Sequence, residues 1–183
     1  SPAASAVRPT GGTEGQTRGA GGDLRILQWQ APSHLSAHVA TRHKDNLAAR
    51  PISEALMNQM ADGALIPCLI EQVPTVENGL LAADLTSVTY TLLEGLLWSD
   101  GEKVTADDIR FTWQWVMDPA NEAVTIALFQ PIKDIEVVDE RTAKVTFSQP
   151  TPTWSYPHTG AGSSVIYPKH ILEGKGKEGN DAF

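Results

Sequence analysis

Short runs of alternating apolar and polar residues predict three strand regions along the chain. Residues 24–29 alternate apart from one step, which is typical of a half-buried strand. In residues 135–147 two alternating runs flank a polar turn, and this is the clearest hairpin signal in the sequence. Residues 85–93 predict a further strand, on one side of which lie Val88, Tyr90 and Leu92.

Between the first strand and the strand at 85–93, the pattern predicts a loop, a helix and an edge strand. Residues 34–45 are largely polar and indicate a loop. Residues 48–60 carry apolar side chains at helical spacing, so we expect a helix that stops at the Asp-Gly pair 62–63. These apolar residues are Ile52, Leu56, Met57 and Met60. Residues 65–73 suit a strand, but Pro67 restricts it to the edge of a sheet.

A motif at residues 92–111 combines a turn signal with a helix start. Its Ser-Asp-Gly step at 99–101 indicates a tight turn, because Asp supports its own backbone and Gly accepts a positive φ. Thr105 stands three residues before Asp108, the spacing of a capping box, and so predicts a helix start. The helix is expected to end at the Asp-Pro pair 118–119. On one face it would carry Ile109, Trp113 and Val116.

The two ends of the chain differ from its middle. Residues 1–22 hold six glycines, two prolines and one large aliphatic residue, Val7, so we expect a flexible tether there. They lack a charged region followed by an apolar one, so no signal peptide is expected within the sequence. Such a tether is compatible with export or with a linker. Residues 165–172 form a short apolar passage that leads into a helix start.

Composition narrows the class of protein. The 183 residues carry 14 Lys and Arg against 22 Asp and Glu, for a formal net charge of −8. An acidic chain lacks the positive surface that binds a phosphate backbone, so nucleic acid is not an expected partner. The single cysteine, Cys68, excludes an intrachain disulfide and is expected to be a buried thiol. No apolar run approaches the ~20 residues of a membrane-spanning helix.

The motif at 92–111 resembles the signature of family 5 extracellular solute-binding proteins, the peptide-, nickel- and oligosaccharide-binding components of ABC importers. It reads LLEGLLWSDGEKVTADDIRF. Leu97 stands where a polar or basic residue is common in the family, and Ile109 replaces a valine. The predicted hairpin and the Tyr-Pro-Lys-His segment at 167–170 follow the family in order and spacing. The resemblance runs from about residue 23 to residue 172.

The resemblance implies a bilobed periplasmic-type binding protein that is much longer than this chain. The implied fold class is α+β: the amino-terminal part of lobe one of a type II, cluster C periplasmic-binding-protein-like fold, with mixed sheets and flanking helices. Residues 23–183 would form a lobe fragment that includes an inserted α+β subdomain, without the second lobe. Because capture in this family needs both lobes, we expect the fragment to fold yet bind no small solute measurably.

The resemblance also implies the position of the solute site. In the family the loop after the first strand borders the cleft, so Thr41, Arg42 and His43 are the expected solute contacts. Arg42 could form a bidentate bond to a carboxylate such as a peptide terminus. Trp154 is a further candidate, since it lies with Tyr156 in a proline-rich loop and could form an apolar wall or stack on a sugar ring. A packed loop anchor is the plainer interpretation of these two aromatic residues.

Two other groups of residues suggest chemistry but have plainer interpretations. His34, His38 and His43 suggest a nickel or zinc site, yet a polar loop without carboxylates at ligand spacing favours solvated histidines. We therefore expect no metal site and no cofactor. Asp107 and Asp108 diverge by about 100° on a helix, and the helix cap explains both. With no nucleophile or base nearby, we expect no enzyme.

The resemblance therefore implies an extracellular solute-binding protein that captures a small solute for delivery to the permease subunits of an ABC importer. Peptide is the default solute, and an oligosaccharide- or nickel-binding member of the family is the alternative. The rival from another class is a surface-tethered interaction module that recognises a protein through an exposed edge strand. We expect a monomer outside the cytoplasm, extracellular or periplasmic, whose natural precursor is membrane-tethered.

Overall fold

The computed structural model describes residues 25–160 and 164–176, so the predicted tether at 1–22 lies outside the described residues. Within those two ranges, none of the helices has the length and hydropathy of a transmembrane segment. Helices and two antiparallel sheets share one hydrophobic core.

The elements are short and follow one another through long connections. In chain order they are α1 (His43–Ala49), β1 (Met57–Gln59), β2 (Leu65–Pro67), β3 (Ser87–Thr91), α2 (Ala106–Met117), α3 (Ile126–Phe129), β4 (Ile132–Val137), β5 (Thr142–Phe147) and α4 (Lys169–Leu172). Two 3₁₀ turns, Pro119–Asn121 and Tyr156–His158, lie in the connections.

The larger sheet has three antiparallel strands in the order β3-β5-β4. The predicted hairpin is confirmed, and β4 begins at Ile132, three residues earlier than the pattern indicated. The predicted strand at 85–93 is confirmed as β3, whose buried side faces the core with Val88 and Tyr90, while Leu92 just after it is equally buried. Alternation with period two is thus a correct guide where one sheet face is buried.

Helix α2 packs against β4, β5 and α4. Its predicted start after Thr105 and its end at Asp118 are confirmed. Ile109 and Val116 are fully buried as expected, but Trp113 is only partly buried. Because α2 has neighbours on two sides, its buried arc is wider than one stripe and also includes Asp108, Thr112 and Trp115.

The helix predicted at 48–60 is wrong. α1 ends at Ala49, and the next residue but one, Pro51, has no backbone N–H to continue a helix. Beyond it the chain turns, and β1 pairs antiparallel with β2 around a turn in which Gly63 has φ +87°. The predicted loop at 34–45 accordingly ends at Arg42, and α1 begins at His43.

The strand predicted at 24–29 is also wrong over its described residues, 25–29. None of these residues belongs to a strand, and Leu27 and Trp29 are 99% and 77% exposed. A strand exists only when a neighbour accepts and donates its backbone hydrogen bonds. No strand in the described part of the chain runs alongside this segment.

The Asp108 carboxylate joins the start of α2 to the start of α4. One of its oxygens accepts the backbone N–H of Thr105 at 2.8 Å, and the other accepts that of Lys169 at 2.9 Å. The side chain is 3% exposed, so water does not replace either bond. The neighbouring Asp107 instead forms ion pairs at the surface with Lys169 and Arg110.

We therefore expect Asp108→Ala to lower the free energy of unfolding by about 2–4 kcal/mol, because two buried N–H groups lose their acceptor. Asp107→Ala is the matched control and should lower it by less than about 1 kcal/mol, since its ion pairs are solvent-exposed. Urea unfolding of both variants measures the difference. Equal losses would contradict the assignment.

Candidate functional site

Residues 41–43 form the start of α1, where their side chains are exposed. Arg42 is the N-cap residue, and its carbonyl oxygen accepts the N–H groups of Asp45 at 3.0 Å and Asn46 at 3.3 Å. The side chains of Thr41, Arg42 and His43 are thus exposed to solvent at a helix start.

The loop before residue 41 is held by His38, which is completely buried. Its Nε2 lies 2.9 Å from the carbonyl oxygen of Val165 and its Nδ1 lies 2.7 Å from the hydroxyl of Thr125. Because a carbonyl only accepts, Nε2 carries the hydrogen and Nδ1 accepts from the hydroxyl. The backbone N–H of Val124 also donates to the carbonyl of His38, at 2.9 Å.

The expectation of solvated loop histidines is therefore wrong for His38. Burial lowers the pKa of His38 from 6.5 to about 4, so the ring is neutral near pH 7. His43 is exposed and His34 is partly buried, so the three rings occupy different environments. Across residues 25–160 and 164–176, no group of three or more His, Cys, Asp or Glu could hold a metal ion.

A second buried histidine, His158, lies in the same core. Its ring centroid is 4.9 Å from that of Tyr90, and Phe129 packs edge-on against both His158 and His38. Neither ring nitrogen of His158 has a hydrogen-bond partner among the described residues. Burial, with the charge of His38 as a smaller cause, lowers the pKa of His158 to about 3.

Trp154 lies in the segment that follows β5. It is half-buried against the core, and its backbone N–H donates to the carbonyl of Thr151 at 3.1 Å. Tyr156 is 49% exposed at the start of the next 3₁₀ turn.

A polar cavity of about 110 Å³ lies beside α1 and was not predicted from the sequence. Its polar lining consists of Asn46, Arg50, Ser53, Glu54 and Asn58. Asn46 and Arg50 follow Arg42 at intervals of four residues, so this side of α1 leads from the exposed site residues to the cavity. This four-residue spacing could indicate the cavity from the sequence, but only if the helix is known to begin at His43.

Cys68 lies next to this cavity and is half-buried. Its sulfur accepts the side-chain N–H of Asn58 at 3.2 Å. Burial, followed by the neighbouring Glu54 carboxylate, raises the pKa of the Cys68 thiol. The thiol therefore stays protonated and unreactive near neutral pH.

Comparison with known families identifies the class. The family described as bacterial extracellular solute-binding proteins, family 5, middle, matches residues 65–182. The chain belongs to this family. The expected fold class, part of lobe one of a bilobed solute-binding fold, is confirmed by solved structures.

Two curated relatives and one structure illustrate the likeness. The oligopeptide-binding protein OppA of Bacillus subtilis is 29% identical over 118 residues, covering 56% of this chain and 21% of that protein. The periplasmic oligopeptide-binding protein OppA of Salmonella typhimurium is 36% identical over 135 residues, covering 64% and 24%. The ABC transporter substrate-binding protein CtaP of Listeria monocytogenes shares the fold, with a TM-score of 0.67, 24% identity and coverage of 81% and 29%. The chain thus spans about a fifth to a quarter of the length of these curated relatives.

The environment of His158 generates a prediction about acid stability. An unfolded chain takes up a proton on this ring near pH 6.5, whereas the folded chain does so only near pH 3. The stability that depends on the neutral ring is therefore complete above pH 6.5 and is lost as the pH falls towards 3. His158→Phe should reduce the slope of unfolding free energy against pH in this window by up to about 1.4 kcal/mol per pH unit.

The measurement is urea unfolding at a series of pH values between 3 and 7. His43→Gln, which replaces an exposed histidine, is the control and should retain the wild-type slope. Identical slopes for wild type and His158→Phe would show that His158 is not buried as a neutral ring.

Proposed function

We propose that this chain is the amino-terminal part of an ABC-importer solute-binding protein, which captures a small solute and delivers it to a membrane permease. The match of the family to residues 65–182 carries the proposal. Peptide is the proposed solute class because the curated relatives include oligopeptide-binding proteins. Family members act outside the cytoplasm, and we place this protein there too, tethered to the membrane.

The proposed solute-contact surface consists of Thr41, Arg42 and His43 at the start of α1. Val124 extends this surface, because its side chain is 48% exposed. Its backbone N–H donates a hydrogen bond to the carbonyl of His38, which lies three residues before Thr41. The guanidinium of Arg42 suits the carboxylate of a peptide, which it can bind through two parallel hydrogen bonds.

Trp154 is proposed as an apolar contact at the margin of the site. Trp154 is partly buried against the core, so part of its side chain remains accessible. That arrangement suits a weak contact with a solute side chain or a sugar ring.

Binding without chemistry is supported by the position of the reactive groups. The close pair of His38 and the Thr125 hydroxyl resembles a base and a nucleophile, but the two residues are 0% and 7% exposed. A substrate has no access to them. The exposed residues of the proposed surface recognise charge and shape instead.

The interaction-module alternative receives little support from the sheet edges. β4 lies at one edge of the larger sheet, and its exposed side chains include Lys133, Asp134 and Glu136. Charged residues along an edge oppose the addition of another strand. β2 is only three residues long and ends in Pro67.

The first experiment is to purify the full natural protein without refolding, denature it, and analyse the released material by mass spectrometry and elemental analysis. Released peptides are the expected result. Released sugars or stoichiometric nickel would assign the protein to the other solute classes of the family. An empty protein whose melting temperature no peptide, sugar or nickel salt raises would contradict the proposal.

The role of Arg42 is tested separately in the full-length protein with tri-alanine and its carboxyl-terminal amide. Arg42→Ala should weaken binding of tri-alanine by about tenfold or more, because the charged hydrogen bonds to the carboxylate are lost. Amidation should weaken binding to wild type but have little further effect on the variant.

Arg110→Ala is the control for this pair of measurements, since Arg110 pairs with Asp107 on α2. It should leave the affinity for both peptides unchanged. If amidation weakens binding equally in wild type and in Arg42→Ala, Arg42 does not bind the carboxylate.

A further inference from the structure

Residues 159, 160 and 166 contact residues 50–58 at three points. Thr159 forms a parallel bridge with Met57, and the N–H of Ile166 donates to the carbonyl of Glu54 at 3.1 Å. Between these two contacts, Nη2 of Arg50 donates to the carbonyl of Gly160 at 2.5 Å, across 110 residues of sequence. Of these three contacts, the one from Arg50 is made by a side chain, and the other two are made by the backbone.

Gly160 lies close to the side chain of Asn58. A Cβ atom built there would lie 2.1 Å from Oδ1 of Asn58, which is far inside contact distance. The backbone of Asn58 pairs with Ile66 in β2, and its side-chain amide donates to the sulfur of Cys68. A residue with a Cβ atom at position 160 would therefore require the Asn58 side chain to leave this hydrogen bond or to shift.

Residues 38–50 contact residues 160 and 165 through two side chains. Arg50 is the C-cap residue of α1, and it holds Gly160. His38, which precedes the exposed residues 41–43, holds the carbonyl of Val165 at 2.9 Å. Residues 41–43 lie between these two anchors, so a shift of either anchor moves the helix start on which they sit.

We propose that Arg50 is a positioning residue for solute binding. Through the Gly160 carbonyl it fixes α1, and thereby the orientation of Thr41, Arg42 and His43, without touching the solute itself. This inference rests on the proposed function of residues 41–43. A residue of this kind raises affinity because the site is already ordered when the solute arrives.

The test compares three variants of the full-length protein by calorimetric titration with tri-alanine and by melting temperature. Arg50→Met keeps the length of the side chain but cannot donate, and should weaken binding by about tenfold. Arg50→Lys retains a donor and should recover most of the affinity. Arg141→Met is the matched control, because Arg141 also donates to a backbone carbonyl, that of Leu92 at 2.9 Å.

Arg141→Met should lower the melting temperature to a similar extent and leave the affinity unchanged. Wild-type affinity in Arg50→Met would overturn the inference. So would an equal loss of affinity in Arg141→Met, because the effect would then follow stability and not position.

If wild type binds no peptide, peptide fails as the proposed solute class, and the positioning role is decided by amide hydrogen exchange. Faster exchange at Asn46 and Thr159 in Arg50→Met, but not in Arg141→Met, would support it. Exchange at the wild-type rate at both amides would overturn it.

Discussion

The buried polar edge of α2 joins parts of the chain that are distant in sequence. Asp108 binds the N–H groups of Thr105 and Lys169, and the hydroxyl of Thr112 accepts the N–H of Tyr167 at 2.9 Å. These groups are shielded from water, so the loss of one partner leaves another polar group unsatisfied. The Tyr167 hydroxyl in turn contacts Ser36 and accepts the N–H of His38. The loop that leads to the proposed site therefore depends on α2.

The sequence predicted those elements whose signals are local. The turn at 99–101, the cap at Thr105 and the hairpin around β4 and β5 each depend on residues within a few positions of one another. The errors arose where the outcome depends on distant partners. Leu56 and Met57 have helical spacing but are buried in the core, where Met57 pairs with Pro67 and the carbonyl of Leu56 accepts the N–H of Cys68. Pro51 was the local sign against a helix. Residues 25–29 alternate correctly, yet alternation does not supply a neighbouring strand.

The candidate site was predicted to a smaller extent, for the same reason. Residues 41–43 came from the family resemblance, and their own chemistry would not have selected them. The burial of His38 was missed because its partners, Thr125 and Val165, lie 87 and 127 residues away. The contact between Arg50 and Gly160 likewise has no local signal. A single sequence shows which residues are polar, whereas only the fold shows which of them have lost access to water.

The distribution of charge and burial is the physical reason to expect that this part of the protein folds yet binds a small solute weakly on its own. The polar side chains of His38 and Asp108 are buried and have hydrogen-bond partners. The side chains of Arg42 and His43 are exposed to solvent. An exposed guanidinium gains little from a carboxylate until water is excluded around both. Tight sites bury most of the surface of a small ligand, which a single open face does not. The proposed function therefore requires a second wall that closes over residues 41–43, while the buried contacts of α2 and His38 keep the first wall in place.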